Sequence, residues 1–316
     1  MRYSDAGVSL AKAEDVVARL GEAVASTRTE SVVGEFGGFA GLYALDEERL
    51  LAATTDSVGT KLILSKRAGR LFDAGVDLAA HCVNDVLTTG ADPLFFLDYV
   101  ASGDLDLAEV ADLVEGAASV CREAGCALLG GETAELPGIY REGELDFAGT
   151  CVGLVGRSEL VDGSRCEPGD VVVGLASSGL HANGFTLVRS LLDEGEDVDA
   201  DLLLVPTRLY LRDVRELRRR CDVRALVHVT GGGITGNLVR VLPAGVRARI
   251  DPASWERPSV YGWLDARGVS EDEQRQVFNL GIGYCAVLPA AEAAAAGFPV
   301  VGRLEEGTAG VAWADA

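Results

Sequence analysis

Four acids in this 316-residue chain sit where backbone can approach a ligand: Asp56, Asp85, Glu132 and Glu135. Glu132 and Glu135 lie in Gly130-Gly131-Glu132-Thr133-Ala134-Glu135-Leu136-Pro137-Gly138, which reads as a glycine-rich turn after the apolar run Cys126 to Leu129. Glycine admits conformations closed to other residues, so such turns bring main-chain amides close to a bound group. Asp56 belongs to Thr55-Asp56-Ser57-Val58-Gly59-Thr60-Lys61, where an acid, small residues and a lysine follow a strand-like stretch. That is the layout of a strand-end phosphate and metal site, with Asp56 suited to magnesium, Gly59 and Thr60 to close approach, and Lys61 to a phosphate as a point charge. The GxxxxGK[ST] spacing is absent, so this is not a Walker loop. In His81-Cys82-Val83-Asn84-Asp85 the histidine and the aspartate are four apart and share one face of a predicted helix. Each segment alone reads equally as a turn, an exposed loop or a solvated helix face. Together their carboxylates repel and call for cations, and a nucleotide triphosphate with magnesium is the simplest answer. Glu132 is favoured over Glu135 as a ligand, and Pro137 stiffens the turn.

The second half offers an anion site. Ala176-Ser177-Ser178-Gly179-Leu180-His181-Ala182-Asn183-Gly184 follows a strand-like run and opens a predicted helix, so hydroxyls and backbone amides are available to a substrate phosphate. Serine and asparagine are also ordinary capping residues. His181 is the best placed of the three histidines for general acid or base work, because imidazole titrates near neutrality. Val229-Thr230-Gly231-Gly232-Gly233 precedes another helix and offers a second backbone nest.

Two further segments are rich in glycine. Gly281-Ile282-Gly283-Tyr284-Cys285-Ala286 fits GxGxxA, but apolar Val287 and Leu288 and then Pro289 follow where a dinucleotide fold requires a helix. It reads as a strand with close backbone packing. Val33 to Gly41 places four glycines around Phe36 and Phe39, which suits either a lid over a base or a flexible linker.

The elements that must position these residues alternate along the chain. Helical spacing covers Ser9 to Ser26, Asp73 to Thr89 and Leu105 to Glu123; strands are predicted at Leu50 to Thr55, Leu94 to Val100 and Asp146 to Val155. Gly156 to Asp170 is polar and turn-rich, which puts a boundary between a first domain over 1–160 and a second over 161–316. Strands at Val171 to Ala176, near Arg247 to Ile250 and at Gly283 to Val287 then alternate with helices at Gly184 to Leu192 and Thr207 to Arg220. The pattern predicts two layered α/β (α+β) domains rather than a bundle or sandwich. A length of 316 residues agrees, since single cores stop growing at roughly 250–300 residues.

Composition excludes several classes. No apolar stretch approaches the ~18 residues of a membrane span, and the N-terminus lacks the basic and apolar regions of a secretory signal. Seven cysteines, an odd number at scattered spacings without a CxxC pair, argue against a disulfide framework or a zinc site and for reduced thiols in a cytoplasm. A net charge of −21 disfavours nucleic acid and anionic membranes as partners. Of 28 basic residues only Lys12, Lys61 and Lys66 are lysine, against 49 acids. The acidic excess suits a high-salt cytoplasm, where the Debye length falls to ~3 Å at 1 M and self-repulsion is screened.

Asp56 to Lys61, Cys82 to Asp85, Pro93-Leu94-Phe95-Phe96-Leu97-Asp98-Tyr99, the Gly130 to Gly138 segment with Ile139-Tyr140, Ser177 to Gly184 and Thr230 to Gly233 together resemble the aminoimidazole ribonucleotide synthetases, the phosphoribosylformylglycinamidine cyclo-ligases of purine biosynthesis. The resemblance runs in family order from Tyr3-Ser4-Asp5-Ala6-Gly7-Val8 to Gly281 to Val287, and GGETAELPG is its most specific stretch. It implies a cytoplasmic two-domain synthetase whose first-domain strands form a barrel across a homodimer. It also implies ATP-dependent ring closure of formylglycinamidine ribonucleotide, with phosphorylation of the formamide oxygen followed by attack of the substrate's own amidine nitrogen. ATP and Mg2+ are the implied cofactors. Asp56, Gly59, Thr60, Lys61, Asn84, Gly130, Gly131 and Glu132 are expected to face the nucleotide, and Asp56, Asp85 and Glu132 the metal. Ser177, Ser178, Gly179, His181, Asn183, Thr230, Gly231 and Gly232 are expected to face the substrate, and His181, Lys61 and Asp85 to take part in catalysis. One departure stands out: the family's glutamate before the asparagine is absent from Ile234-Thr235-Gly236-Asn237. Rival expectations are a sister enzyme, such as thiamine monophosphate kinase or selenophosphate synthetase, and a non-catalytic nucleotide-binding subunit. Selenophosphate synthetase calls for an early reactive cysteine, and none precedes Cys82.

Overall fold

The computed structural model describes residue 7, residues 10–193 and residues 195–314. Of the residues named above, Tyr3 to Ala6, Val8 and Ser9 lie outside the described residues. The chain divides into two compact units, Met1–Leu160 with Phe185–Val198, and Val161–Gly184 with Asp199–Ala316. The helix expected at Gly184 to Leu192 runs over Phe185–Ser190 and belongs to the first unit.

The first unit contains α1 (Leu10–Ala25), β1 (Val32–Val33), β2 (Gly41–Ala44), β3 (Arg49–Ser57), α2 (Lys61–Arg67), α3 (Leu71–Leu87), β4 (Asp92–Ser102), α4 (Leu107–Ala124), β5 (Ala127–Glu135) and β6 (Leu145–Gly156), with α5 (Phe185–Ser190) added from beyond the boundary. Its six strands order as β1-β2-β3-β6-β4-β5. All neighbours are antiparallel except β4 and β5, which are parallel and therefore need the crossover that α4 supplies. Side chains alternate faces along a strand. Ala52, Phe96, Phe147 and Cys151 are fully buried on one face of this sheet. The opposite face carries Tyr43, Leu51, Thr55, Leu97 and Leu154, with Tyr43 48% and Leu97 39% exposed.

Helix α4 is punctuated by its sequence. Asp106 accepts hydrogen bonds from the amides of Ala108 and Glu109 at the start, and Gly125 at φ +72° ends it in the left-handed region. Helix α3 is buried on nearly every side, and it crosses α4 at paired glycines. A Cβ on Gly75 would lie 2.1 Å from the Leu113 carbonyl oxygen, and one on Gly116 would lie 2.0 Å from that of Phe72. Only glycine lets the two backbones come this close.

The segment expected to be a glycine-rich turn is mostly strand. Glycine, glutamate and threonine have little intrinsic strand preference, but the β4 ladder imposes it by pairing Leu97 through Ser102 with Gly130 through Glu135. The pairing jumps between Phe96 and Leu97, where Leu129 is passed over and Gly130 takes φ +147°. A Cβ on Gly131 would meet the Asp98 carbonyl oxygen at 2.0 Å, so Gly131 is required by strand approach. The Val33 to Gly41 segment connects β1 to β2.

The second unit holds β7 (Val171–Ala176), α6 (Ala200–Leu203), α7 (Leu211–Arg220), β8 (Ala225–His228), α8 (Gly233–Leu238), β9 (Val246–Ile250), α9 (Val260–Ala266), α10 (Glu271–Val277), β10 (Ile282–Leu288), α11 (Ala293–Ala296), β11 (Val300–Glu306) and β12 (Gly310–Trp313). Its sheet orders as β12-β9-β11-β7-β10-β8, antiparallel except for β12 on β9. Strands β7, β8 and β10 are buried along nearly their whole length, which explains their unbroken apolar sequences. Both units mix helices with a sheet, as the alternating pattern predicts.

All seven cysteines are free and buried. No helix among the described residues is long and apolar enough to cross a membrane.

Candidate functional site

In the first unit, β3 delivers Thr54 and Asp56 to one turn of α3. His81 donates from Nε2 to Asp56 Oδ2 at 2.9 Å, the other Asp56 oxygen accepts from the Ser57 amide at 2.7 Å, and Thr54 Oγ1 donates to Asp85 Oδ2 at 3.4 Å. His81, Asn84 and Asp85 are buried, whereas the Asp56 side chain is 40% exposed. Burial alone would lower the His81 pKa. The Asp56 hydrogen bond and the charges of Asp56, Asp85 and Asp77 outweigh it and hold the imidazole at about 9. The cluster therefore sets an imidazolium among acidic side chains, with a carboxylate oxygen accessible at Asp56. Across the sheet Asp56 pairs with Gly149, which pairs with Asp98, so two acids share a line with a glycine between them. Burial raises the Asp98 carboxyl.

Lys61 departs from expectation. It opens α2, but its side chain is fully buried and its ammonium lies 2.7 Å from Asp77 Oδ2. The Phe185 ring lies 5.3 Å away. Burial leads in lowering its pKa, and Asp77 opposes that shift. The lysine therefore ties α2 to α3 and α5. Its neighbour Gly59 turns at φ +65° with open space around it, and Thr60 Oγ1 lies 2.9 Å from Thr186 Oγ1.

Glu132 is also placed apart from the cluster. It pairs with Tyr99, which pairs with Ala148, which pairs with Ser57. Three strand spacings amount to about 14 Å, and alternation sends Glu132 to the face opposite Asp56. The first unit thus gathers Asp56, Asn84 and Asp85 on two neighbouring elements and holds Glu132 elsewhere. Glu135 Oε2 accepts from the Leu105 amide at 3.4 Å, a local loop contact. Beyond the strand, Pro137, Gly138, Ile139 and Tyr140 line an open concavity of about 850 Å3 with Gly103 and Arg141.

In the second unit, the two expected anion turns face each other. Asn183 Oδ1 lies 3.5 Å from where a Cβ on Gly231 would sit. The hydroxyls, however, are already committed. Ser178 Oγ donates to the Pro206 carbonyl at 2.5 Å, and Ser177 Oγ shares its proton between the Gly179 carbonyl at 2.9 Å and Asn279 Oδ1 at 3.1 Å. His181 is buried at φ +62°, and its Nε2 accepts from the Ser178 amide at 3.3 Å, so the imidazole braces the turn rather than facing solvent as a free base. The Thr230 to Gly233 turn is braced by Asn237, whose amide donates to the carbonyls of Thr230, Gly231 and Gly233 at 3.3, 3.1 and 2.8 Å. Gly232 and Gly233 take φ +94° and +61° there. Gly236 has open space where a Cβ would stand, so the missing family acid leaves a gap and no strain.

The sequence reading missed the His81 bond to Asp56, the brace from Asn237 and the partners of Ser177. His81 had a signal in its spacing to Asp85. The Asn279 partner of Ser177 lies 102 residues away and gave none, whereas Asn237 stands within a few residues of the carbonyls it braces, a local spacing that was left unread.

Two family models match, the AIR synthase related protein N-terminal domain over residues 37–155 and its C-terminal domain over residues 167–311. The chain belongs to the AIR synthase related protein family. A phosphoribosylformylglycinamidine cyclo-ligase from Synechococcus sp. is 47% identical over 92% of this chain and 89% of its own. One from Anaeromyxobacter dehalogenans is 46% identical over 94% and 90%. The fold extends further: a thiamine-monophosphate kinase structure from Stenotrophomonas maltophilia matches with a TM-score of 0.63 at 21% identity, over 94% of this chain and 95% of that one.

Proposed function

We propose that this chain is an enzyme that uses ATP to close formylglycinamidine ribonucleotide to aminoimidazole ribonucleotide, with ADP and phosphate as the other products. The observation that carries the reading is that two cyclo-ligases at 46–47% identity span nearly the whole chain, while the Asp56, His81 and Asp85 cluster stands assembled. The donor set fits Mg2+, a hard ion that prefers carboxylate and carbonyl oxygens. Asp56, Asp85 and the side-chain oxygen of Asn84 would hold it. Bound there, the ion would neutralise charge on the nucleotide phosphates.

The chain's own work is to bind and orient. A formamide oxygen leaves poorly and a phosphate leaves well, so phosphorylation activates the carbon that the substrate's amidine nitrogen attacks. No covalent bond to the enzyme is required. Because the attack is intramolecular, holding the substrate in a reactive conformer is worth up to roughly 7–11 kcal/mol in well-oriented systems. The Ser177 to Asn183 and Thr230 to Gly232 turns, held from behind, suit the substrate's phosphate. The face of the first sheet on which Tyr43 and Leu97 are exposed suits burial against a second copy, which supports a homodimer. A dimer would also let Glu132 on that face meet groups of its partner. Sedimentation of wild type and Leu97→Asp tests this, and a monomeric wild type would exclude it.

The enzyme assay is incubation with ATP, Mg2+ and formylglycinamidine ribonucleotide, with mass detection of the aminoimidazole product. ATP binding without product would point to a non-catalytic subunit. Asp85→Asn is expected to cut turnover at least about a hundredfold with the fold intact; near-wild-type rates would remove Asp85 from the site.

A further inference from the structure

The two non-glycine residues with positive φ among the described residues are His181 at +62° and Leu280 at +55°. They stand on two turns that are bonded to each other. The Ser177 amide donates to the Gly281 carbonyl at 2.8 Å, Ser177 Oγ lies 3.1 Å from Asn279 Oδ1, and Asn279 Nδ2 donates to the Gly179 carbonyl at 2.9 Å. Asn279 is 2% exposed, and its Oδ1 also accepts from the Gly281 amide at 2.8 Å and from the Tyr261 hydroxyl at 2.8 Å. Left-handed backbone at a residue with a side chain is strained and persists only where the surroundings over-determine it.

We propose that the Asn279-Leu280-Gly281 turn is a positioning element for the substrate's phosphate, acting through the Ser177 to His181 turn. The inference rests on reading that turn as the substrate site. Both polar atoms of the Asn279 side chain serve the junction between the turns. Its acceptor gathers Tyr261, Gly281 and Ser177, and its donor fixes the carbonyl of Gly179. With Ser177 and Gly179 both held from behind, the turn is set before any ligand arrives. The GxGxxA match finds its purpose here. A Cβ on Gly283 would lie 2.4 Å from His181 Cε1 and 2.2 Å from the Tyr210 hydroxyl, so the second glycine of the motif makes room for the imidazole that braces Ser178. The first, Gly281 at φ +94°, would drive a Cβ to 2.7 Å from Pro258. The motif is thus a support for a phosphate turn in a neighbouring segment, with no dinucleotide role.

Three variants test the element: Asn279→Asp, which keeps the acceptor and loses the donor to Gly179; Tyr261→Phe, which removes one bond and no volume of note; and Asn183→Ala on the turn itself. Substrate affinity is read by calorimetry with formylglycinamidine ribonucleotide alone and by its KM, with the KM for ATP and the melting temperature as controls. Asn279→Asp is expected to raise substrate KM about tenfold and Tyr261→Phe about threefold, with kcat and the KM for ATP nearly unchanged, the pattern of lost uniform binding. If Asn183→Ala weakens substrate but both supporting variants, folded, bind it as wild type does, the positioning role is overturned. If Asn183→Ala leaves substrate binding untouched, the reading of the turn as the substrate site fails instead. A loss in kcat and both KM values that tracks the melting temperature would show Asn279 to be structural only.

Discussion

His81 is a buried imidazole that keeps its proton because Asp56 accepts from it and Asp85 and Asp77 lie nearby. Its pKa rises from the ordinary 6.5 to about 9 on folding. The stabilisation this gives is complete below about pH 6.5, fades as pH climbs, and is gone once pH passes about 9. Metal-free wild type and His81→Gln are therefore expected to differ most in denaturation midpoint near pH 6 and to converge above pH 9. A difference that stayed constant across that range would remove the charge from the account. Lys61 shows how the same chemistry is turned to structure: with Asp77 it forms a fully buried pair. Breaking such a pair by removing one partner strands a charge, so Lys61→Met should lower stability by about 3–5 kcal/mol in chemical denaturation. A lysine after an acid and glycines looks the same in sequence whether its chain runs outward or inward, because only the packing of α3 and α5 decides the direction.

Helix α3 is located by its crossing with α4 as much as by its sheet. Because Gly75 and Gly116 let the two backbones touch, a methyl group at either position would force α3 and α4 apart and shift His81, Asn84 and Asp85 relative to β3. Gly116→Ala is expected to cost about 1–3 kcal/mol of stability and to reduce Mg2+-dependent turnover with it; unchanged values for both would show that the helices can part without consequence. Most elements were legible in the chain because their apolar spacing is strong. Leu50 to Thr55, Leu94 to Val100 and Asp146 to Val155 all lie within longer observed strands. The Gly130 to Glu135 stretch was not legible as strand, since its residues prefer turns and the ladder with β4 overrides them. Nor was the grouping around Asn279, which lies 102 residues from Ser177. The acids of β3 and α3 were readable as a candidate pair because each sits at the polar interruption of an otherwise apolar element. Glu132 was readable as an acid by type but not by face, which depends on a register that no local pattern records.

At the scale of the whole molecule, a net charge of −21 means that folding concentrates like charges on a small surface. Salt relieves that repulsion. The unfolding midpoint is accordingly expected to rise between low and molar KCl, and a flat or falling midpoint would separate the acidic composition from any saline habitat. The seven cysteines carry a different message. All are buried, and burial pushes the Cys166 and Cys285 thiols up to about 12, where almost none is ionised at neutral pH. Since both units contain such thiols, a chromogenic disulfide reagent can serve as a clock for opening: each unit's cysteines become reactive only when that unit unclasps, and peptide mapping of the tagged positions reveals which half of the molecule breathes first.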